Sequence, residues 1–367
     1  VCSSDLTIVQ ESRQIAGSST RLWPLQREAI AALHCQSQAQ VVVPLASDLT
    51  VILRLQKVAG SPQGRPTFFG DVDTFPGSYA VLSINSDTVA GSVLIPGRGS
   101  YALIPAPNSF LRIETTDEAL PLKCGTAAGS AAPSSADALA FRRAVGLHSP
   151  SDYPSPPLPP GVPQGLQQLD ILFVYTPTAL RGAGGLEGLT AQIDAAIAEA
   201  NLAFSNSRVA LKLNLAGIAP VNYQDSGHIE SDLAKLTDAV EDALEHPEEP
   251  GDMEHDDEDE PDGDYALRPV ARLRHESKAD LVCLLVETGD STVGVANQLW
   301  DLDPEFAPRA LSVIRREYLN RYQILAHEVG HNLGCQHERS ATTWGGVFPY
   351  SHAHRFEIDG ITYRTVM

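Results

Sequence analysis

The chain has 367 residues, 43% of them hydrophobic, with 26 Lys and Arg against 46 Asp and Glu. That is enough apolar content for two cores of ordinary size, and no run of about 18 apolar residues is present to cross a membrane. A formal charge of −20 argues against nucleic-acid binding, which needs a basic face.

Taken from the start, Val1–Leu6 can be back-translated into a common sequencing-adapter tail and is expected to be non-native. The chain opens on Val and stops at Met367, so it reads as a fragment open at both ends, and a missing signal peptide says nothing about compartment. The five cysteines are Cys2, Cys35, Cys124, Cys283 and Cys335; none forms a close CxxC pair, so a zinc ribbon is not expected.

Residues 7–124 read as a β-rich domain. Short runs of β-formers, such as 41–43, 49–53, 78–84, 91–95 and 100–104, are separated by Gly, Pro and Asn. Their spacing predicts an antiparallel sandwich or meander. No catalytic constellation occurs here, which leaves an independent binding domain as one reading. Residues 125–168 form a Pro/Ala/Ser-rich linker, with a short helix predicted around 136–145.

The second domain is expected over 169–367. Leu169–Pro177 is a short apolar run stopped by proline, the pattern of a buried strand. Ile193, Ala196, Ile197, Ala200 and Phe204 mark one apolar helix face, 209–215 an alternating strand, and 231–244 a second helix. Fourteen acidic residues and no Lys or Arg lie between Glu241 and Asp264; without them the charge is −6. The stretch 246–264 is expected to be a solvated loop. Asp256, Asp257, Asp259, Asp262 and Asp264 offer oxygens that could hold Ca2+, without the EF-hand spacing. Then come a short helix (270–276), a central strand (279–286), the segment 291–297 and a last strand (310–314).

The informative stretch is His327-Glu328-Val329-Gly330-His331-Asn332-Leu333-Gly334-Cys335-Gln336-His337, on a helix predicted from about Arg321 to Leu333. His327 and His331 are four apart and share one helix face, so both imidazoles can reach one cation. Glu328 stands beside the first ligand as a candidate general base. Gly334 can end the helix in a left-handed conformation and let the chain return to deliver His337. Three histidines leave one position of a tetrahedral zinc open, the pattern of a catalytic site. Cys335 reads as a packing residue or disulfide partner, and His352 and His354 as structural or substrate-contact residues.

This HExxHxxGxxH stretch resembles the metzincin zinc metallopeptidases, and within them the reprolysin-like and peptidyl-Asp-type bacterial endopeptidases. The resemblance is strong over about 318–367 and moderate from Leu169 onward. It implies a zincin-like α+β catalytic domain with a twisted mixed sheet, one catalytic Zn2+, a Glu328 base and protein or peptide substrates. It also implies a methionine turn under the metal, for which Met367 in Tyr363–Met367 is the candidate. Val293, Gly294, Val295 and Ala296 fall where the family has an edge strand that pairs with substrate. The β-rich half resembles the prodomains of secreted bacterial metzincins, so a secreted, monomeric zymogen is expected. Leu120–Gly125 resembles a cysteine-switch segment, in which the Cys124 thiolate would occupy the open metal position; a disulfide partner or a spare buried thiol are the other readings. The rival function is a non-catalytic binding protein built on the same fold, and a third is a metal-dependent hydrolase of another substrate.

Overall fold

The structure, a computed structural model, describes residues 6–14, 21–61, 64–116, 123–126, 165–246, 265–342, 345–358 and 361–367. The predicted helix at 136–145 and nearly all of the acidic stretch lie outside the described residues.

The N-terminal half is one ten-stranded sheet. Its centre is an antiparallel meander of β4 (Gln38–Ala46), β5 (Leu49–Lys57), β6 (Thr67–Val72), β7 (Tyr79–Asn85), β8 (Thr88–Ile95), β9 (Gly99–Ala106) and β10 (Phe110–Thr116). β1 (Leu6–Thr7) joins β4 in parallel at one edge, so Leu6, assigned to the tail by sequence, is part of the sheet. At the other edge β3 (Arg21–Pro24) pairs with β10 and β2 (Arg13–Gln14) with β3. The meander half of the expectation therefore describes the fold and the sandwich half does not. A helix α1 (Arg27–His34), which the sequence reading did not include, buries Ile30 and Leu33 in the sheet's core.

Alternation explains that core. Val41, Val43, Leu53, Leu55, Leu82, Ile84, Val89, Val93 and Leu103 all point into one cluster with α1. The central strands are buried on the other face too. There the residues are small or moderate: Val81, Ala90, Ser92, Ala102 and Ile104. That second face packs on a helix of the C-terminal half.

The C-terminal half holds a six-stranded sheet in the order β11-β15-β16-β14-β12-β13. These are β11 (Lys123–Thr126), β12 (Gln167–Tyr175), β13 (Leu211–Pro220), β14 (Leu281–Val286), β15 (Thr292–Ala296) and β16 (Leu311–Arg315). Neighbours run parallel except β15 against β16. β12 and β14 are apolar at consecutive positions because both faces are covered. Ile171, Phe173, Cys283 and Leu285 enter one core, Leu172, Val174, Val282 and Leu284 the other.

Helices α4 (Ile229–Glu245) and α5 (Pro269–Ser277) cover the second of these cores. The first is covered by α2 (Pro177–Gly182), α3 (Leu186–Asn206) and α6 (Ile324–Asn332). α3 corrects the simple amphipathic reading. Ile193, Ala196, Ile197 and Ala200 face the first core as predicted, with Phe204 partly buried against it and Leu189 added, but Ala191, Asp194, Ala195 and Glu199 on other faces are buried as well. The N-terminal sheet lies against them: Arg65 donates to Asp194 at 2.9 Å, and Ser92 donates to Glu199.

An ion pair with a buried guanidinium and a part-exposed carboxylate ties α3 to the sheet. Arg316, 2% exposed, meets the Glu287 carboxylate in a two-pronged contact at 2.5 and 2.6 Å and donates to Gln192 of α3 at 3.0 Å. Removing only the acid would leave a buried guanidinium unpaired. Glu287→Ala is expected to cost about 3–5 kcal/mol of stability, read from the shift of the urea midpoint; a change under about 1 kcal/mol, the range of exposed pairs, would contradict this account.

Candidate active site

All nine residues of α6 are buried, among them His327, Glu328 and His331. The helix starts later than the sequence pattern predicts, at Ile324 rather than Arg321, because Tyr322 and Gln323 are left-handed with φ of 58° and 55°. Non-glycine residues hold that conformation only when the surroundings enforce it.

One turn separates His327 from His331, and their rings meet edge-on with centroids 4.8 Å apart. The helix then stops at Gly334, whose φ of 85° is the left-handed value expected of a C-terminal glycine. Gly334 N–H donates to the His331 carbonyl at 2.9 Å and Cys335 N–H to the Gly330 carbonyl at 2.8 Å, which reverses the chain. The returning segment is clamped on both sides. Gln336 N–H donates to Ser351 and Ala353 N–H to Gln336, each at 2.8 Å, and the His352 ring donates through Nδ1 to the His337 carbonyl at 3.0 Å.

His337 arrives with its Nε2 3.1 Å from the Nε2 of His327 and 3.1 Å from that of His331. Each ring is aimed through its other nitrogen where the contacts are seen. His327 Nδ1 donates to the Val366 carbonyl at 2.7 Å. His331 Nδ1 lies 2.9 Å from Gln298 Oε1 and 3.0 Å from the Cys335 carbonyl. A carbonyl oxygen only accepts, so the proton sits on Nδ1 and the Nε2 lone pair faces the common point. Burial pushes the pKa of His327 down to about 4 and lowers those of His331 and His337, so all three are neutral bases at neutral pH.

Three converging neutral imidazoles are the donor set that zinc takes. Tetrahedral Zn–N bonds of about 2.0–2.1 Å put ligand nitrogens about 3.3 Å apart, close to the spacing seen. The structure can hold a metal ion at His327, His331 and His337.

Two glycines show what borders the triad. A Cβ on Gly330 would sit 2.2 Å from Met367 Sδ, so the thioether lies against the helix between the two histidines. A Cβ on Gly294 would sit 2.2 Å from Glu328 Oε1. The Glu328 carboxylate therefore lies against β15, on the strand the sequence singled out as Val293–Ala296. That strand is not an unpaired edge. It is antiparallel to β16 on one side and parallel to β11 on the other, with Cys124 in register with Gly294. The backbone placement of Cys124 is thus described; its side chain lies outside the described residues.

Cys35, Cys283 and Cys335 are free thiols among the described residues, so the disulfide reading of Cys335 is corrected. Its carbonyl, rather than its sulfur, serves the site. His352 proves to be a brace for His337, and His354 N–H donates to Thr365 ahead of the methionine. Gln298 and Val366, which orient the ligands, escaped the sequence reading.

With this geometry in view, residues 165–367 match the reprolysin-type profile described as metallo-peptidase family M12. The chain belongs to that family. It is 23% identical over 304 residues to a peptidyl-Asp metalloendopeptidase of Stenotrophomonas maltophilia strain K279a, covering 80% of this chain and 60% of the relative. A protein of the same name from Xanthomonas campestris is 24% identical over 197 residues, covering 54% of this chain and 39% of the relative. The chain thus spans about 60% of the length of the first of these. Among solved structures, one titled a chaperone–substrate complex aligns with a TM-score of 0.32 and 19% identity, over 47% of this chain and 27% of that one.

Gln298 gives the site a test independent of turnover. Outer partners of metal-bound histidines contribute about 10–100-fold to metal affinity. Gln298→Leu is expected to weaken zinc binding by that order in a chelator competition, with the fold retained; unchanged affinity would show that the Cys335 carbonyl alone orients His331.

Proposed function

We propose that the chain is a zinc-dependent endopeptidase of the metzincin type, made as a secreted zymogen. One observation carries the reading: three buried imidazoles present Nε2 atoms to a single point, 3.1 Å apart in two of the pairs, with a buried carboxylate on the same helix. A structural site would close on a fourth protein ligand; among the described residues three side chains converge.

Zinc held by His327, His331 and His337 would supply a Lewis acid for the scissile carbonyl and make water a stronger acid. The chain's own residues do the rest. Glu328 takes a proton from the water as its oxygen adds to the scissile carbonyl, and passes that proton to the amine nitrogen, so the C–N bond breaks when the tetrahedral adduct collapses to the carboxylic acid product and the free amine. Its carboxylate is kept in place by Gly294, whose lack of a side chain leaves the room. Met367 forms an apolar floor against Gly330 and is not a ligand.

The N-terminal half, 7–124, we read as the propeptide, with 125–168 as its linker to the catalytic domain, 169–367. Support comes from β11. It pairs with β15 along the strand where an extended substrate would add by backbone hydrogen bonds, and its Cys124 is in register with Gly294 beside Glu328. In this reading β11 blocks the substrate strand and Cys124 supplies the cysteine switch. The relatives' name adds aspartate to the reaction; we carry over hydrolysis of peptide bonds. Secretion rests on the resemblance to secreted bacterial metzincins, and no described helix is long and apolar enough to cross a membrane.

Glu328→Ala is expected to retain zinc and lose casein cleavage, by about 100-fold or more if the carboxylate is the general base. Full activity with zinc bound would remove the mechanism, and zinc bound without cleavage in the processed wild type would favour a binding protein. Cys124→Ala is expected to raise the activity of the uncleaved chain, measured on a quenched peptide; unchanged latency would leave β11 as the block and discard the switch.

A further inference from the structure

Catalysis as described leaves one group of buried acids unused. Glu199 of α3 is 3% exposed, and its partners are two hydroxyls from the N-terminal sheet, Ser92 and, at 3.5 Å, Tyr79. No cation is among its partners in the described residues. Five positions earlier on the same helix, Asp194 is 7% exposed and receives Arg65 of the N-terminal sheet at 2.9 and 3.4 Å. The network continues to the histidine helix. Gln323, the left-handed residue just before α6, donates to the Tyr79 hydroxyl at 3.2 Å. Arg321, in the same lead-in, pairs with Glu114 of β10, and Arg112 of β10 stands 3.6 Å from Glu317.

We infer that the face between the N-terminal sheet and α3 is a pH-operated clasp, closed while Glu199 carries a proton and loosened when Glu199 ionises. The reason is the mismatch between its burial and its partners. A carboxylate removed from water needs a cation or several donors, and two hydroxyls replace only part of its hydration. The protonated acid makes the same contacts without that penalty. Burial pushes the pKa of Glu199 up to about 7, against the Ser92 and Tyr79 hydrogen bonds that favour the anion. Burial likewise pushes Asp194 up to about 6, against the opposing pull of Arg65.

The charged and titratable groups at this face set the direction. α3 contributes Asp194 and Glu199; the sheet contributes Arg65, Tyr79, Arg112 and Glu114; the lead-in to α6 contributes Glu317 and Arg321. Burial raises the two α3 acids toward the neutral range. When the halves separate, both acids are hydrated and return to the ordinary carboxylate range near 4. The docked state then binds more protons than the separated state, so docking is strongest below the ordinary range. It weakens as pH rises, and the weakening levels off once the docked acids have ionised as well, near 7. Loosening at this face also frees Tyr79 from Gln323, at the start of the helix that bears the histidines.

The inference concerns docking of the two halves and stands or falls apart from peptidase activity. The test uses the full chain with a specific protease site inserted between 127 and 164 and nicked after folding. Sedimentation at several concentrations gives the dissociation constant of the halves at pH 5.5 and pH 8.5. The wild type is expected to weaken on the order of tenfold or more between these values, since each raised acid gives up to tenfold per pH unit while it titrates. Glu199→Gln should hold the halves together at both pH values and remove most of the difference. Ser92→Ala, which takes away a donor to the anion, should move the weakening to higher pH. A wild-type constant that does not change with pH, or a Glu199→Gln protein that changes as much as the wild type, would overturn the clasp. If Glu199→Gln does not fold, the Ser92→Ala shift decides, and an unshifted curve counts against the proposal.

Discussion

Everything at the site depends on holding three imidazoles around one point, two by the nitrogens that do not meet and the third through its backbone. A free histidine ring turns about two bonds, and three such rings would not share a point. Here the Nδ1 of His327 is taken by Val366 and that of His331 by Gln298 and Cys335, while His337 is fixed through its backbone by His352. These acceptors come from the segment before Met367, from the loop after β15 and from the return after Gly334. The fold can be understood as the means of bringing those three segments around one buried helix. Burial then does the chemistry's preparation, since it keeps the rings neutral.

The long helix α3 is the second organising element, because it belongs to two cores at once. Its Leu189–Ala200 face completes the core beneath α6. Its other faces are covered by β7, β8 and β9, and Gln192 reaches Arg316 and Asn320 between the six-stranded sheet and α6. Anything that disturbs the N-terminal sheet is therefore felt one helix away from the histidines. The polar residues on this helix are paired across the interface rather than left to water, as buried polar groups must be.

The legible part of this architecture was local in sequence. His327, His331, Gly334 and His337 lie within one helix turn and one chain reversal, so spacing alone brings them together. The buried strands β12 and β14 were legible because a sheet covered on both faces writes continuous apolar runs. What could not be read was contact over distance. Gln298 meets His331 across 33 residues and Val366 meets His327 across 39, and nothing in the local pattern marks either. The pattern of α3 marks one apolar face and gives no sign that Asp194 and Glu199 are buried, because the sheet that buries them is more than a hundred residues away, as the 107 positions between Ser92 and Glu199 show. The late start of α6 has the same origin, since contacts to Tyr79 and Glu114 hold the left-handed lead-in.

Three glycines carry the remaining specificity, and each by absence. Gly334 turns the chain, which a side chain would oppose through φ. Gly330 and Gly294 are different: both have ordinary backbone angles, and what forbids a side chain is an atom of another element. At Gly330 it is the Met367 sulfur, at Gly294 the Glu328 carboxylate. The glycine of a histidine motif is usually read as a feature of the helix. Here it records the position of a residue 37 places later, and Gly294 records the position of the Glu328 carboxylate from the sheet's side. The strand that runs past Gly294 is β11, with Cys124 in register at that same glycine. The place in β15 that leaves room for the Glu328 carboxylate is therefore also the place where β11, from the preceding half of the chain, brings Cys124 into register.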